Sequence, residues 1–301
     1  TSFDELAVPA TVRQTLASSS ISMDPPHLLI TGPAGVGKTA SWRLFARQLL
    51  GPGWKSTTHI LQARDLVRQR GAMSSFEEFL RPSGSEKDTL AGRTSLDAFD
   101  RGISLYPDEN IAPAGSETEV HDGMMPVSRL IVIEDADYLG HIRQAYLRRM
   151  METVGVASRF VLIARAPSRI IDALRSRSQM IRIPSTDRET ITTTLLQIAE
   201  KNGCIPAEGV LEDISYISEG NLKKAVFTLE MLDSRGLASD RSAVHKMVQA
   251  STLQAGRRLV ELAIRGQVVE WKWENQRGRN KKVLSGAMAE IDNLMNHHGL
   301  D

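Results

Sequence analysis

The chain has 301 residues, 41% of them apolar and 24% charged, with a net charge of +1. That length suffices for two or three small domains with ordinary globular cores. No apolar run approaches the span of a bilayer, and the single cysteine, Cys204, excludes both an internal disulfide and a cysteine-rich zinc site.

In chain order, a helix is expected over Asp4–Leu16, ended by Ala17-Ser-Ser-Ser-Ile-Ser-Met-Asp-Pro-Pro26. His27–Thr31 reads as a short apolar strand entering a Gly-rich turn. A helix follows over Lys38–Leu50, stopped by Gly51 and Pro52. Thr57–Leu61 is a second strand. Between Leu66 and Pro126 the pattern weakens to loop compositions, with short helices expected at Ser75–Leu80 and Ser95–Ile103. Regularity returns with strand Leu130–Ile133, helix Ile142–Thr153, strand Arg159–Ile163, short helix Ser168–Leu174 and strand Met180–Ile183. This alternation predicts an α/β domain, a parallel sheet with helices on both faces. After Pro184 no further strands are expected. Helices are read at Asp187–Asn202, Gly209–Ser218 and Asn221–Ser234, and the remainder, Asp240–Gly299, is read as helical. The expected domains are 1–185, carrying an acidic insert at 66–126; a helical lid at 186–237; and a helical collar at 238–301, read as incomplete.

The near-neutral total hides local asymmetry. His141–Arg182 holds nine Arg against two acids, and Ala255–Lys282 holds eight basic residues against three acids. Ser83–Asp122 reverses this, with nine acids against three bases. Basic faces of this kind suit phosphates, whereas the acidic insert would repel them.

Gly32-Pro33-Ala34-Gly35-Val36-Gly37-Lys38-Thr39 matches the phosphate-binding pattern G-x-x-x-x-G-K-[ST]. Glycines let the backbone curl so that successive N–H groups point at one phosphate, and the next helix adds its N-terminal donors. Lys38 brings charge to the β- and γ-phosphates, and Thr39 offers a hydroxyl to Mg²⁺. Such a site needs a carboxylate at the end of a neighbouring apolar strand. Leu130-Ile-Val-Ile-Glu134-Asp135-Ala-Asp137 supplies it, with Glu134 toward the metal. The expected ligands are therefore a nucleoside triphosphate and Mg²⁺.

The run Glu134-Asp-Ala-Asp-Tyr-Leu-Gly-His-Ile-Arg-Gln-Ala-Tyr-Leu-Arg-Arg-Met-Met-Glu152 resembles replication factor C small subunits, AAA+ proteins of archaeal-type sliding-clamp loaders. In that family an Asp-Glu-Ala-Asp box precedes Gln-x-Ala-Leu-Arg-Arg-Thr-Met-Glu at the same spacing. Arg159–Ser178 is similar to the family's sensor strand and Ser-Arg-Cys motif, and Gly220-Asn-Leu-Lys-Lys-Ala225 to its second sensor. Pro26-His-Leu-Leu and Leu61-Gln-Ala-Arg-Asp65 also look like family segments.

The resemblance implies a heteropentamer that opens a ring-shaped clamp and closes it around primer-template DNA, holding the phosphate backbone without reading bases. It implies large and small clamp-loader subunits, the clamp and DNA as partners, ATP at subunit interfaces, and a cytoplasmic, nucleoid-associated setting without membrane contact. It places Arg165 and Lys223 at the two nucleotide sensors and makes Arg177 the arginine given in trans to a neighbour's site. The chain departs from the family where the box begins Glu134-Asp135 in reversed order. Asp135, expected to polarise the attacking water, carries its carboxylate one C–C bond, about 1.5 Å, further back. Weak hydrolysis by this subunit is the expectation. The alternatives are a structural subunit that binds ATP without hydrolysis, and another P-loop enzyme, such as a small-molecule kinase or a different AAA+ remodelling or loader ATPase. A kinase would need neither Ser176-Arg177-Ser178 nor the second sensor. Trp271-Lys-Trp-Glu-Asn-Gln-Arg-Gly-Arg-Asn-Lys-Lys282, aromatic beside basic, is read as a collar helix and its solvated loop, with single-strand stacking as the other reading.

Overall fold

The computed structural model describes residues 2–68, 70–80, 127–153, 157–276 and 279–291. The helix expected over Ser95–Ile103 and most of the 66–126 insert lie outside them. The described chain falls into two compact units, one of residues 1–187 with 220–223, the other of residues 188–219 with 224–301.

The first unit opens with a 3-10 turn at Phe3–Glu5 and helix α1 (Ala10–Ser20). This corrects the expected Asp4–Leu16 helix at both ends. Pro9, the N-cap, disfavours helical geometry in the residue before it and sets the start. The serine run does not end the helix; the hydroxyls of Ser18, Ser19 and Ser20 are accommodated within it, donating back to carbonyls three or four residues earlier.

Strand β1 (Leu28–Thr31), helix α2 (Lys38–Leu50), α3 (Trp54–Thr57), β2 (Thr58–Gln62), α4 (Ala63–Val67) and α5 (Ala72–Leu80) follow. Then come β3 (Arg129–Glu134), α6 (Gly140–Thr153), β4 (Ser158–Ala164), α7 (Asp172–Arg175) and β5 (Gln179–Arg182). The helix predicted over Ser168–Leu174 is instead a 3-10 turn, Pro167–Arg169, followed by α7. The strands form one sheet in the order β2-β3-β4-β1-β5, every pair parallel.

Both faces of β1, β3 and β4 are covered, so these strands are apolar at successive positions rather than alternating. Leu28, Ile30, Val132, Val161 and Ile163 pack on one face with Leu16, Trp42 and Phe45. Leu29, Ile131, Ile133, Phe160 and Leu162 pack on the other with Phe76, Leu139, Leu147 and Leu174. At the start of β4 the buried Arg159 donates to Asp24 Oδ1 at 2.7 Å and to the Pro25 carbonyl, tying the approach to β1 onto β4. Nearby, His27 Nδ1 accepts from Phe160 N at 3.1 Å; burial, with Arg159 adding to it, lowers the imidazole pKa to about 4.

In the second unit, α8 (Arg188–Asn202), α9 (Val210–Ser218), the part of α10 (Leu222–Ser234) from Lys224 onward, and α11 (Arg241–Ile264) are helical as expected. Ile191, Leu195, Val210, Ile214, Leu229 and Leu232 are buried. The expectation that strands cease after Pro184 is overturned by an antiparallel hairpin, β6 (Glu270–Gln276) with β7 (Arg279–Ser285). The reading of Trp271–Lys282 as a collar helix and loop falls with it. Two tryptophans alternating with Lys272 and Glu274 have the period of a strand, and aromatic residues favour one. Among the described residues no helix is long and apolar enough to cross a membrane.

Candidate nucleotide site

Parallel strands all deliver their C-terminal ends to one edge of the sheet, where ligands bind in such folds. At the end of β1 the chain enters the glycine loop. Gly32 has φ +151°, and a Cβ there would lie 2.1 Å from the Ile183 carbonyl oxygen beyond β5. Gly35 has φ +74°, and its Cβ would overlap the Asn221 side-chain oxygen at 1.8 Å. At Gly32 the obstacle is backbone and excludes any side chain, whereas at Gly35 it is the end of a side chain and the positive φ is what favours glycine. Lys223 N donates to Gly35 O at 3.0 Å, so the segment Gly220–Lys223 sits directly on the loop within the first unit. Val36 turns inward and is buried in the core, anchoring the loop.

The loop borders a cavity of about 410 Å³. Ala34, Gly35, Gly37, Lys38 and Thr39 line it from α2 and the loop; Gln62 and Glu134 line it from the ends of β2 and β3. Asp135, Arg165 and Lys223 complete the polar wall. Of the predicted residues, Gly32, Pro33 and Val36 shape the loop without facing the cavity, and Arg177 stands apart from it.

Lys38 Nζ donates to Gly32 O at 2.6 Å and to Pro33 O. Its pKa is lowered to about 8, first by burial and then by the Arg165 guanidinium, with Asp135 and Asp137 acting against them. A half-buried ammonium hydrogen-bonded to carbonyls leaves cationic charge for an anion to meet.

Glu134 is held by neutral donors: Trp42 Nε1 to Oε1 at 3.3 Å, and Gln62 Nε2 to Oε2. Sequence reading missed both partners. The parallel register pairs Gln62 with Glu134, so the hydrophobic alignment of β2 with β3 would have found the glutamine. Asp135 follows in the left-handed region, φ 52° and ψ 43°, which an Asp tolerates better than most residues. Burial raises the Asp137 pKa, opposed by backbone N–H groups including that of Arg165, and its Oδ1 has no hydrogen-bond partner. Asp137 is not part of the cavity lining, whose polar wall sets the cations Lys38, Arg165 and Lys223 beside the carboxylates Glu134 and Asp135, a perturbed charge cluster of the kind found at functional sites.

Arg177 lies between α7 and β5, with 38% of its side chain exposed. Nη2 donates to Glu152 Oε1 at 2.5 Å and Nη1 to Ala173 O at 2.9 Å. Glu152 also meets Arg148 at 3.4 Å, so the end of α6 presents a surface charge cluster.

Strand order, loop and acidic strand end together define a P-loop domain of the AAA+ fold. Solved structures agree. The RuvB Holliday junction branch migration motor of Thermotoga maritima superposes with a TM-score of 0.51 at 15% identity, covering 81% of this chain and 70% of that one. Domain III of the Thermotoga maritima replication initiation protein DnaA also gives 0.51 at 15%, covering 81% and 93%.

In sequence the chain is similar to archaeal replication factor C small subunits. It is 28% identical to that of Archaeoglobus fulgidus over 245 residues, 81% of this chain and 65% of the relative. It is also 28% identical to that of Methanoculleus marisnigri, covering 81% and 64%, and to small subunit 1 of Pyrobaculum aerophilum, covering 95% and 75%. In the first two matches the chain spans less than two thirds of the relative's length. No family model matches it.

Proposed function

We propose that this chain is a clamp-loader subunit that binds ATP with Mg²⁺ in the cavity at the sheet edge and supplies Arg177 to a neighbouring subunit. The observation that carries the reading is the convergence of glycine loop, Lys38, Glu134, Asp135, Arg165 and Lys223 on one cavity. The loop N–H groups and α2 N-terminus suit the phosphates, and Lys38 suits the outer two. Thr39 and Glu134 suit Mg²⁺, which takes one or two protein oxygens alongside phosphate. Among the described residues no three His, Cys, Asp or Glu side chains gather as a metal cage, so the phosphates would supply the remaining ligands. Arg165 and Lys223, which line the same cavity, would sense the outer phosphate, Lys223 as a point charge rather than a fork.

The partners under this reading are large and small clamp-loader subunits, the sliding clamp, and the phosphates of primer-template DNA. Basic residues between Arg143 and Arg182 would contribute to the DNA contact, although Arg148, Arg159, Arg175 and Arg177 already face carboxylates. Own hydrolysis is weak because Asp135 is short by one carbon. The second reading, ATP bound as structural support without turnover, draws on the grip of Trp42 and Gln62 on Glu134.

Arg177→Ala tests the assignment. In the assembled complex it should lower single-turnover hydrolysis at the neighbouring site by roughly 10³–10⁵-fold, with ATP affinity of this chain unchanged by calorimetry. No ATP uptake by the wild-type chain, or an unchanged neighbour rate, overturns the reading.

A further inference from the structure

Glu134 ends β3 with a side chain one carbon longer than the aspartate that the resembling family sets there, and so with one more torsion to fix. Two donors from different elements fix it. Trp42 Nε1, on α2, donates to Oε1 at 3.3 Å, and Gln62 Nε2, at the end of β2, donates to Oε2. Both donors are neutral, so they orient the carboxylate without cancelling its charge, as an arginine or lysine in their place would. A carboxylate has about four lone-pair sites, so two donors leave room for a cation. Trp42 itself is 1% exposed and packs in the core with Leu16 and Phe45. A buried indole N–H needs an acceptor, and the packed ring gives that donor one direction. Trp42 also lies one turn beyond Lys38 and Thr39 on α2, at the i+4 and i+3 spacings that put side chains on one face. The helix that offers the ammonium and the hydroxyl therefore also carries the group that aims the facing carboxylate.

We infer that Trp42 is a positioning residue for Mg²⁺: its indole N–H holds the Glu134 carboxylate in one orientation, with its full charge kept for the metal. This rests on the proposed ATP and Mg²⁺ site and adds a residue to it. Mg²⁺ demands near-ideal geometry from its ligands, so a carboxylate free to swing is a poor partner for it. Groups that hydrogen-bond a ligating side chain tune metal affinity almost as strongly as the ligands do. At 3.3 Å the indole bond is long for N–H···O, which suits a contact that steers the oxygen and leaves its charge available. Removing the N–H leaves Glu134 with the Gln62 amide alone against its extra torsion.

The test is calorimetry of ATP binding to the full chain, with Mg²⁺ and with a chelator in its place. The ratio of the two affinities is the metal's contribution. Trp42→Phe should cut that ratio roughly 10- to 100-fold and leave the chelator value near that of the wild type, whereas lost packing alone would weaken both alike. Benzothienylalanine in place of Trp42 keeps the shape of the indole without its N–H. It should repeat the effect, and it guards against a phenylalanine variant that folds poorly. In a Glu134→Ala background there is no carboxylate to aim, so Trp42→Phe should change the ratio no further. The indole N–H resonance of Trp42, assigned by its loss in Trp42→Phe, should shift when Mg²⁺ is added to the ATP-bound chain. The inference is overturned if the sulfur analogue keeps the wild-type ratio, if affinities with and without metal fall together, or if the double variant has a lower ratio than Glu134→Ala alone. No ATP uptake in either condition overturns the nucleotide reading itself, and the inference with it.

Discussion

At the end of β1 the nucleotide cavity is built from backbone, and at the end of β3 it is built from side chains. The first half consists of glycine conformations, amide donors and a helix terminus, and what it needs is the absence of Cβ atoms at Gly32 and Gly35. The second half consists of carboxylates whose reach matters, and there Glu134 and Asp135 stand in the reverse of the order that the resembling family uses. A backbone cradle is either formed or not. A side-chain constellation can remain in place, hydrogen-bonded and correctly charged, while its working atom sits about an ångström out of position.

The comparison is sharpened most by Glu134→Asp combined with Asp135→Glu. If side-chain length limits turnover, single-turnover hydrolysis in the assembled complex should rise by up to about 10²-fold, the size of effect that a misplacement of about 1 Å produces. ATP affinity should hardly change. An unchanged rate would mean that the grip of Trp42 and Gln62 on Glu134, and not reach, sets the limit.

On the backbone side, Gly32→Ala should destabilise the fold by at least about 1–3 kcal/mol, because the residue would hold an unfavourable φ and its Cβ would press on the Ile183 carbonyl. The readout is a lower urea midpoint with an unchanged slope. Wild-type stability in that variant would show that the loop accommodates a side chain after all.

A third test lies where the halves meet, at Lys38. With its pKa lowered to about 8, the free protein loses this charge as pH rises through 8, and the charged form is the one that favours phosphate. A triphosphate raises the pKa again, so binding above pH 8 takes up a proton. ATP affinity should therefore fall, by up to about tenfold per pH unit, between about pH 8 and the ordinary lysine value. Calorimetry at about pH 8.5, inside that window, in buffers of different ionisation enthalpy measures the uptake, and Lys38→Arg should abolish it.

Most of the first unit was legible because its strands are buried on both faces and its motif fixes a strand, a turn and a helix at once. Lys38–Leu50 matches α2 at both ends, and the predicted sheet strands fall within a residue of their observed limits. The start of α1 was misread because Pro9 was given no weight, and its end because serines were taken as punctuation although their hydroxyls can serve a helix. Trp42 and Gln62 were invisible as partners of Glu134 because each is far from it in sequence and reaches it only through packing and register. The hairpin was lost to a helical reading imposed on a segment where indole and charged residues alternate one by one.

The pairing of Arg177 with Glu152 bears on how subunits would come apart. Before any neighbour arrives, this guanidinium already has an anion of its own, partly exposed and 2.5 Å away. Assembly in the proposed complex would thus trade one carboxylate for a phosphate instead of neutralising a bare cation, and an exposed pair of this sort is worth only about 0–1 kcal/mol. Giving up so weak a pair costs assembly little, so Glu152 would hold the guanidinium in place between encounters without opposing its transfer to a neighbour.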